Sequence, residues 1–294
     1  MSPSNRLASL IASMLTLTAA PGCTVAVGDL GGFTENPAAC RMDGDRSRVR
    51  DFTFQLVGMN AHQTHYVDIL VTDQASDQVR SRFILEPLGL GTQELFFENA
   101  LPPGDLNLQF YADTNSDRTI NNPATSDDIT NDHTWIRPVC SDGSEYFEHI
   151  FAFEPIVRFR PIGAAYELHL TGIPADLGAE IAETRLVFSG GGSEDGRTVA
   201  VYRRLPPETG AHTAIDFVVP GVIDLGSEYA LVWYFDSNGD LEPSAGDVFC
   251  GVREVAPGDG SNPLPLARTI DMATALTDGT CDLTALDATQ IPPL

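Results

Sequence analysis

A repeated pattern of short alternating segments limits this chain to β structure more than any other feature. Residues 52–59 read FTFQLVGM and residues 166–173 read YELHLTGI; apolar and polar side chains alternate in both, and the same glycine position follows. A period of two lets a strand turn one face to a core and the other to water. Downstream, ELFFENALPPGDLNLQFYADTNSD, ending at Asp117, matches AIDFVVPGVIDLGSEYALVWYFDSNGD, ending at Asp240. Each runs strand, Pro/Gly turn, strand, acidic loop, so one plan is used twice. Between these anchors, residues 66–72 (YVDILVT) and 184–188 (TRLVF) are β-branched and apolar, and turns such as 189–196 join hairpin strands.

After the N-terminal stretch no segment keeps a 3.6-residue apolar period with caps, and residues 176–183 have room for one short helix at most. The 20 Pro and 26 Gly concentrate between short strands, which points to all-β structure. The expected architecture is two tandem immunoglobulin-like or transthyretin-like β-sandwich domains, at residues 46–157 and 158–272. A leader (1–22) and a tether (23–45) precede them, and a tail (273–294) follows.

Forty-one acidic residues face 17 basic ones, a net charge of −24, and every basic residue is Arg. The absence of Lys removes phosphate-loop, Schiff-base and lysine-base chemistries. Such a charge repels nucleic acid and anionic lipid surfaces and favours cations as partners. The plainer reading of the same acidity is solubility.

Arg6 precedes an apolar stretch at 7–20, which is shorter than the ~20 residues of a membrane span and suits a signal-peptide core. Ala20, Pro21, Gly22 and Cys23 then follow. This resembles a bacterial lipobox, with Ala20 where that pattern prefers Leu. The resemblance implies removal of residues 1–22 and lipid on Cys23. The protein would then sit at the cell envelope, on the outer membrane or periplasmic face, held by its lipid alone. Ordinary cleavage and free secretion is the alternative. Export makes Cys40, Cys140, Cys250 and Cys281 candidates for two disulfides. Cys40 with Cys140 and Cys250 with Cys281 keeps each bridge within one repeat; free thiols are the other possibility.

Asp113, Asn115 and Asp117 follow one aromatic strand, and Asp236, Asn238 and Asp240 follow the other. Oxygen side chains at alternate positions of a tight loop suit calcium, which takes six to eight hard oxygen ligands. Asp247, eleven residues after Asp236, stands where an EF-hand places its last acid. In the first repeat Asp127, Asp128 or Asp132 can close the loop, and Asp127 is carried as the candidate. Leu241 and Arg118 replace the sixth-position glycine, so each loop is grafted on a β-hairpin and is no EF-hand. Asp and Asn also serve simply as turn formers.

The first repeat holds His62, His65, His133 and His149; the second has His169 and His212 at non-matching places. Gly58, Met59 and His62, the D-x-N-x-D loop, Asp132, His133 and Trp135, and His149 before Phe151 resemble an uncharacterised kind of exported bacterial β-domain. No activity is implied by that resemblance. Met59, His62, His133 and His149 are the residue types for copper or zinc should the fold gather them. There is no H-E-x-x-H or G-x-S-x-G, and the Gly190–Gly192 run reads as a turn. The expectation is therefore a calcium-stabilised binding, adhesion or structural module at the envelope, recognising a protein or glycan. A periplasmic copper or zinc protein is the alternative. Exposed aromatics near Trp135 or Trp233 would favour glycan, although Trp233 alternates with apolar neighbours and reads as core.

Overall fold

Alternation in the first repeated segment becomes β1 (Arg50–Val57), where Phe52, Phe54 and Leu56 are buried and the residues between them are not. The computed structural model describes residues 44–89, 91–115, 118, 132–148, 162–240, 243–256, 258–259 and 262–281. In the first repeat β2 (Tyr66–Asp73), β3 (Val79–Glu86), β4 (Gln93–Leu101), β5 (Leu106–Asp113), β6 (His133–Pro138) and β7 (Ser144–Glu148) follow. In the second come β8 (Ile162–Thr171), β9 (Ile181–Phe188), β10 (Thr198–Arg204), β11 (Ala214–Ile223), β12 (Glu228–Asp236) and β13 (Val248–Val255). After them lie the short pair β14 (Gly258–Asp259) and β15 (Asn262–Pro263), then β16 (Leu266–Asp271) and the single turn α1 (Met272–Ala275).

The two repeats are wired alike. A three-stranded sheet, β4-β1-β7 or β11-β8-β16, has its middle strand antiparallel to the first and parallel to the last. The other strands run antiparallel in the orders β3-β2-β5-β6 and β10-β9-β12-β13. These two sets are joined by parallel pairing of β3 with β10, from Arg82 opposite Ala200 to Glu86 opposite Arg204, into one eight-stranded sheet.

Successive side chains on a strand point to opposite faces, and this fixes where the small sheets lie. Phe83 of β3 and Val201 of β10 belong to the core that contains Phe52 and Phe97, and the Phe83 and Phe97 rings stack with centroids 4.4 Å apart. Their neighbours Ile84 and Tyr202 belong to the core with Tyr166 and Phe217, and Tyr202 meets Phe217 edge-on at 5.2 Å. The two three-stranded sheets therefore cover opposite faces of the central sheet. Its inner strands are buried on both sides; β2, β9, β10 and β12 carry no exposed residue. That is why they read as continuous apolar runs while β1 and β4 alternate. All described strands fall in one compact unit.

Buried charges knit the seam. On β2 and β3, Asp68 and Arg82 are both buried; Arg82 Nε donates to the two Asp68 oxygens at 2.9 and 3.0 Å. Arg82 Nη1 donates to the Pro220 carbonyl of β11 at 2.6 Å, crossing from one repeat to the other. At the corresponding place in the second repeat, Glu183 of β9 is fully buried and bonds Arg185 and Arg203, each at 2.7 Å. Burial opposes its charge, but Arg203 and Arg185 hold its carboxyl below the ordinary value. Cys250 on β13 is bridged to Cys281, which anchors the segment after α1 on the second repeat, as expected. Cys140 is disulfide-bonded, while its expected partner Cys40 lies outside the described residues, as does Cys23. Among the described residues no helix is long and apolar enough to cross a membrane.

Candidate functional site

Strand direction brings the two acidic loops to one place. β3 and β10 are parallel, and β5 and β12 run the same way as they do, because each is two antiparallel steps removed. The ends of these strands, Glu86, Asp113, Arg204 and Asp236, thus share one end of the central sheet. Five inter-strand steps of ~4.8 Å put the two loops about 24 Å apart along it.

In the second repeat Asp236, the last residue of β12, is fully buried, and its Oδ1 accepts the Gly239 N–H at 2.7 Å. Asp247 closes the loop just before β13: Oδ1 accepts from Ser237 N at 2.9 Å and Oδ2 from Ser244 N at 2.8 Å. Asn238 Oδ1 accepts from Asp240 N at 2.9 Å, and its amide donates to Asp240 Oδ2 at 2.9 Å and Ser244 Oγ at 2.7 Å. Gly239, at φ 73°, supplies the left-handed turn on which this folding-back depends.

The first repeat follows the same scheme. Asp113 ends β5 fully buried and accepts from Arg118 N at 2.7 Å; Asp132, buried just before β6, accepts from Thr114 N at 3.1 Å. Thr114 and Ser237 are each the first residue of their loop, so Asp132 is the counterpart of Asp247. The described closing acid is thus Asp132. Asp117 and Asp127 lie outside the described residues, and Asn115 is exposed. A shared signal marks the closing acids: each directly precedes the next strand. Arg118 also reaches Glu86 at the end of β3, Nη2 to Oε1 2.6 Å, and Tyr202 of β10 donates to the same carboxylate. The first loop is thereby tied to the seam. Among the described residues no three His, Cys, Asp or Glu side chains are arranged to hold one metal ion.

Beside this loop stand three histidines. A 3-10 turn, Met59–His62, follows β1, and both its end residues are buried. His62 Nδ1 lies 3.1 Å from His65 Nδ1, and His62 Nε2 lies 3.0 Å from His133 Nδ1. The His62 and His133 rings meet edge-on at 4.8 Å, and Trp135 packs at 5.9 Å from His62. The fold thus gathers His62 and His133 near buried Met59 and adds His65, which the sequence alone did not single out; His149 lies outside the described residues. His62 spends a different ring nitrogen on each neighbour, so the three form a hydrogen-bonded chain and not a three-nitrogen chelate. Burial lowers the His65 pKa, and the charge of nearby Asp113 opposes that.

Neither Trp is available to a ligand: Trp135 is 4% exposed and Trp233 fully buried, which corrects the expectation for Trp135. Trp135 stacks on Phe110 at 5.0 Å inside the first core. Among the described residues the exposed large aromatic rings are Phe96 and Tyr146, at 46% and 39%.

No protein-family model matches the chain. No curated protein is similar to it. Among solved structures, a candidate cell adhesion protein of Parabacteroides distasonis aligns with 76% of this chain and 89% of its own, at 10% identity and a TM-score of 0.20. A likeness of that strength carries no argument about function.

Proposed function

We propose that this protein is a cell-envelope lipoprotein, anchored through Cys23, that acts without turnover as a binding module stiffened by calcium at the end of its central sheet. One observation supports the reading above others. In each repeat a buried carboxylate ends the strand, and a second carboxylate is drawn to the next residue's backbone, Asp113 with Asp132 and Asp236 with Asp247. Like-charged carboxylates held on neighbouring positions of one small loop repel each other when ionised. A divalent cation with six to eight oxygen ligands would take up the remaining lone pairs, with Asn115, Asp117 and Asp127, or Asn238 and Asp240, completing the shell. Metal analysis of protein purified without chelator and dialysed against calcium tests this: the reading expects bound calcium, up to one ion per loop, and protein that carries no calcium contradicts it.

A second reading, copper or zinc handling, is favoured by the meeting of His62 and His133. It predicts uptake of either metal that is lost in His62→Ala/His133→Ala, with Met59 and His149 as further ligands. Uptake that survives the double substitution removes it.

A further inference from the structure

The outer face of the β4-β1-β7 sheet carries what the rest of the described surface does not, two large aromatic side chains, here among hydroxyl, amide and carboxylate groups. Cross-strand register fixes their layout. Phe96 of β4 stands opposite Thr53 of β1, which on its other side faces Ser144 of β7. Two residues along, Glu94 and Tyr146 flank Gln55. The rings therefore lie on one face, on the two outer strands, diagonal to each other across β1. Two strand spacings and a two-residue offset put them about 12 Å apart. The Tyr146 hydroxyl donates to Glu148 Oε2 at 3.1 Å, which fixes that ring's orientation.

The frame does not require these rings. By the same register, Phe96 corresponds to Val218, opposite Glu167, and Tyr146 to Thr269, opposite His169. The second repeat builds an equivalent sheet with no aromatic at either place. Exposing a Phe to this extent forgoes the stabilisation that burial would bring, and the second repeat folds the same frame without it.

We infer that this face binds a neutral polysaccharide, whose sugar rings lay their C–H faces on Phe96 and Tyr146. The inference rests on the binding-module reading but not on calcium. Charge excludes one ligand class. Beside the rings stand Gln55 and the carboxylates of Glu94, Glu98 and Glu148, acceptors for sugar hydroxyls, and no residue that β1, β4 or β7 presents on this face is basic. Uronate, sulfate and phosphate groups are repelled by such a surface. Two separated rings also lack the packed central cluster of a stable protein interface.

The test is affinity electrophoresis in native gels containing hydroxyethylcellulose, galactomannan or pullulan, with polygalacturonate and polyarginine gels for comparison. Retardation is expected in at least one neutral gel and not in polygalacturonate. Phe96→Ala or Tyr146→Ala should each lower that affinity by about tenfold, while Val218→Ala leaves it unchanged. Thermal melts of the variants confirm that folding is retained, which exposed positions permit. Free migration in all three neutral gels, retention that survives the double substitution, or retention by polyarginine alone overturns the proposal. Repeating the gels in chelator separates the two ideas: binding that persists without calcium supports this face even where the loops prove empty.

Discussion

Glu145 illustrates how one inward-facing acid sets a pH dependence. It sits on β7 opposite Phe54, buried, with its carboxylate accepting the Cys140 N–H. Burial raises its pKa to about 7 from the ordinary 4.5, against the pull of that hydrogen bond. Below the ordinary value both folded and unfolded states are protonated. As pH rises from there to about 7, the unfolded chain releases a proton that the folded chain keeps, so stability falls across that window and levels off above it. Glu145→Gln keeps the acceptor and removes the titration. Its melting temperature should gain on the parent's between pH 5 and about 7.5; a constant gap over that range contradicts the assignment. No pattern in the sequence marks this residue: SEYFE does not alternate, and only the pairing shows that Glu145 shares the inward face with Phe147 while Tyr146 points out. His65 was visible only as a histidine outside the expected ligand set, and Asp132 only as one of three acids able to close the first loop. Phe96 reads as one more apolar strand residue until register turns it outward.

Strands with one face in water were legible because their alternation survives: β1 and β8 fall where residues 52–59 and 166–173 predict. The central strands were legible as strands but not as neighbours. Residues 79–86 (VRSRFILE) and 198–204 (TVAVYRR) are buried on both faces because β3 and β10 pair across the repeats, and edge pairing leaves no periodic trace. The acidic loops were visible as D-x-N-x-D. Asp247 was legible as the closing acid from its distance to Asp236, whereas the choice among Asp127, Asp128 and Asp132 depended on where β6 begins. The loop scheme predicts that Asp132→Ala and Asp247→Ala each remove the calcium-dependent part of stability belonging to their own loop, and that their effects add, since the loops lie about 24 Å apart. Calorimetry of the two single variants and the double checks this; a single variant that abolishes the whole calcium effect refutes independent loops.

At the scale of the molecule, each small sheet packs on a central sheet shared by both repeats, and each core borrows from the other's strands: Val201 enters the first core, and Ile84 and Leu70 the second. Unfolding is accordingly expected as one cooperative transition. Asp68→Ala would strand the Arg82 guanidinium at the seam beside Pro220, and loss of one partner from a buried pair costs about 3–5 kcal/mol. The whole transition should move down together by calorimetry; a split into two transitions would show that the repeats are energetically separate. The measurement that bears most directly on the central claim is the melting temperature of the purified protein in millimolar calcium against chelator. Ligand at about a hundred times its Kd contributes about 2.7 kcal/mol per site, which for a chain of this size is about 5–10 °C. A rise of that order with calcium, absent with magnesium, is the predicted result, and superimposed melting curves would contradict the account.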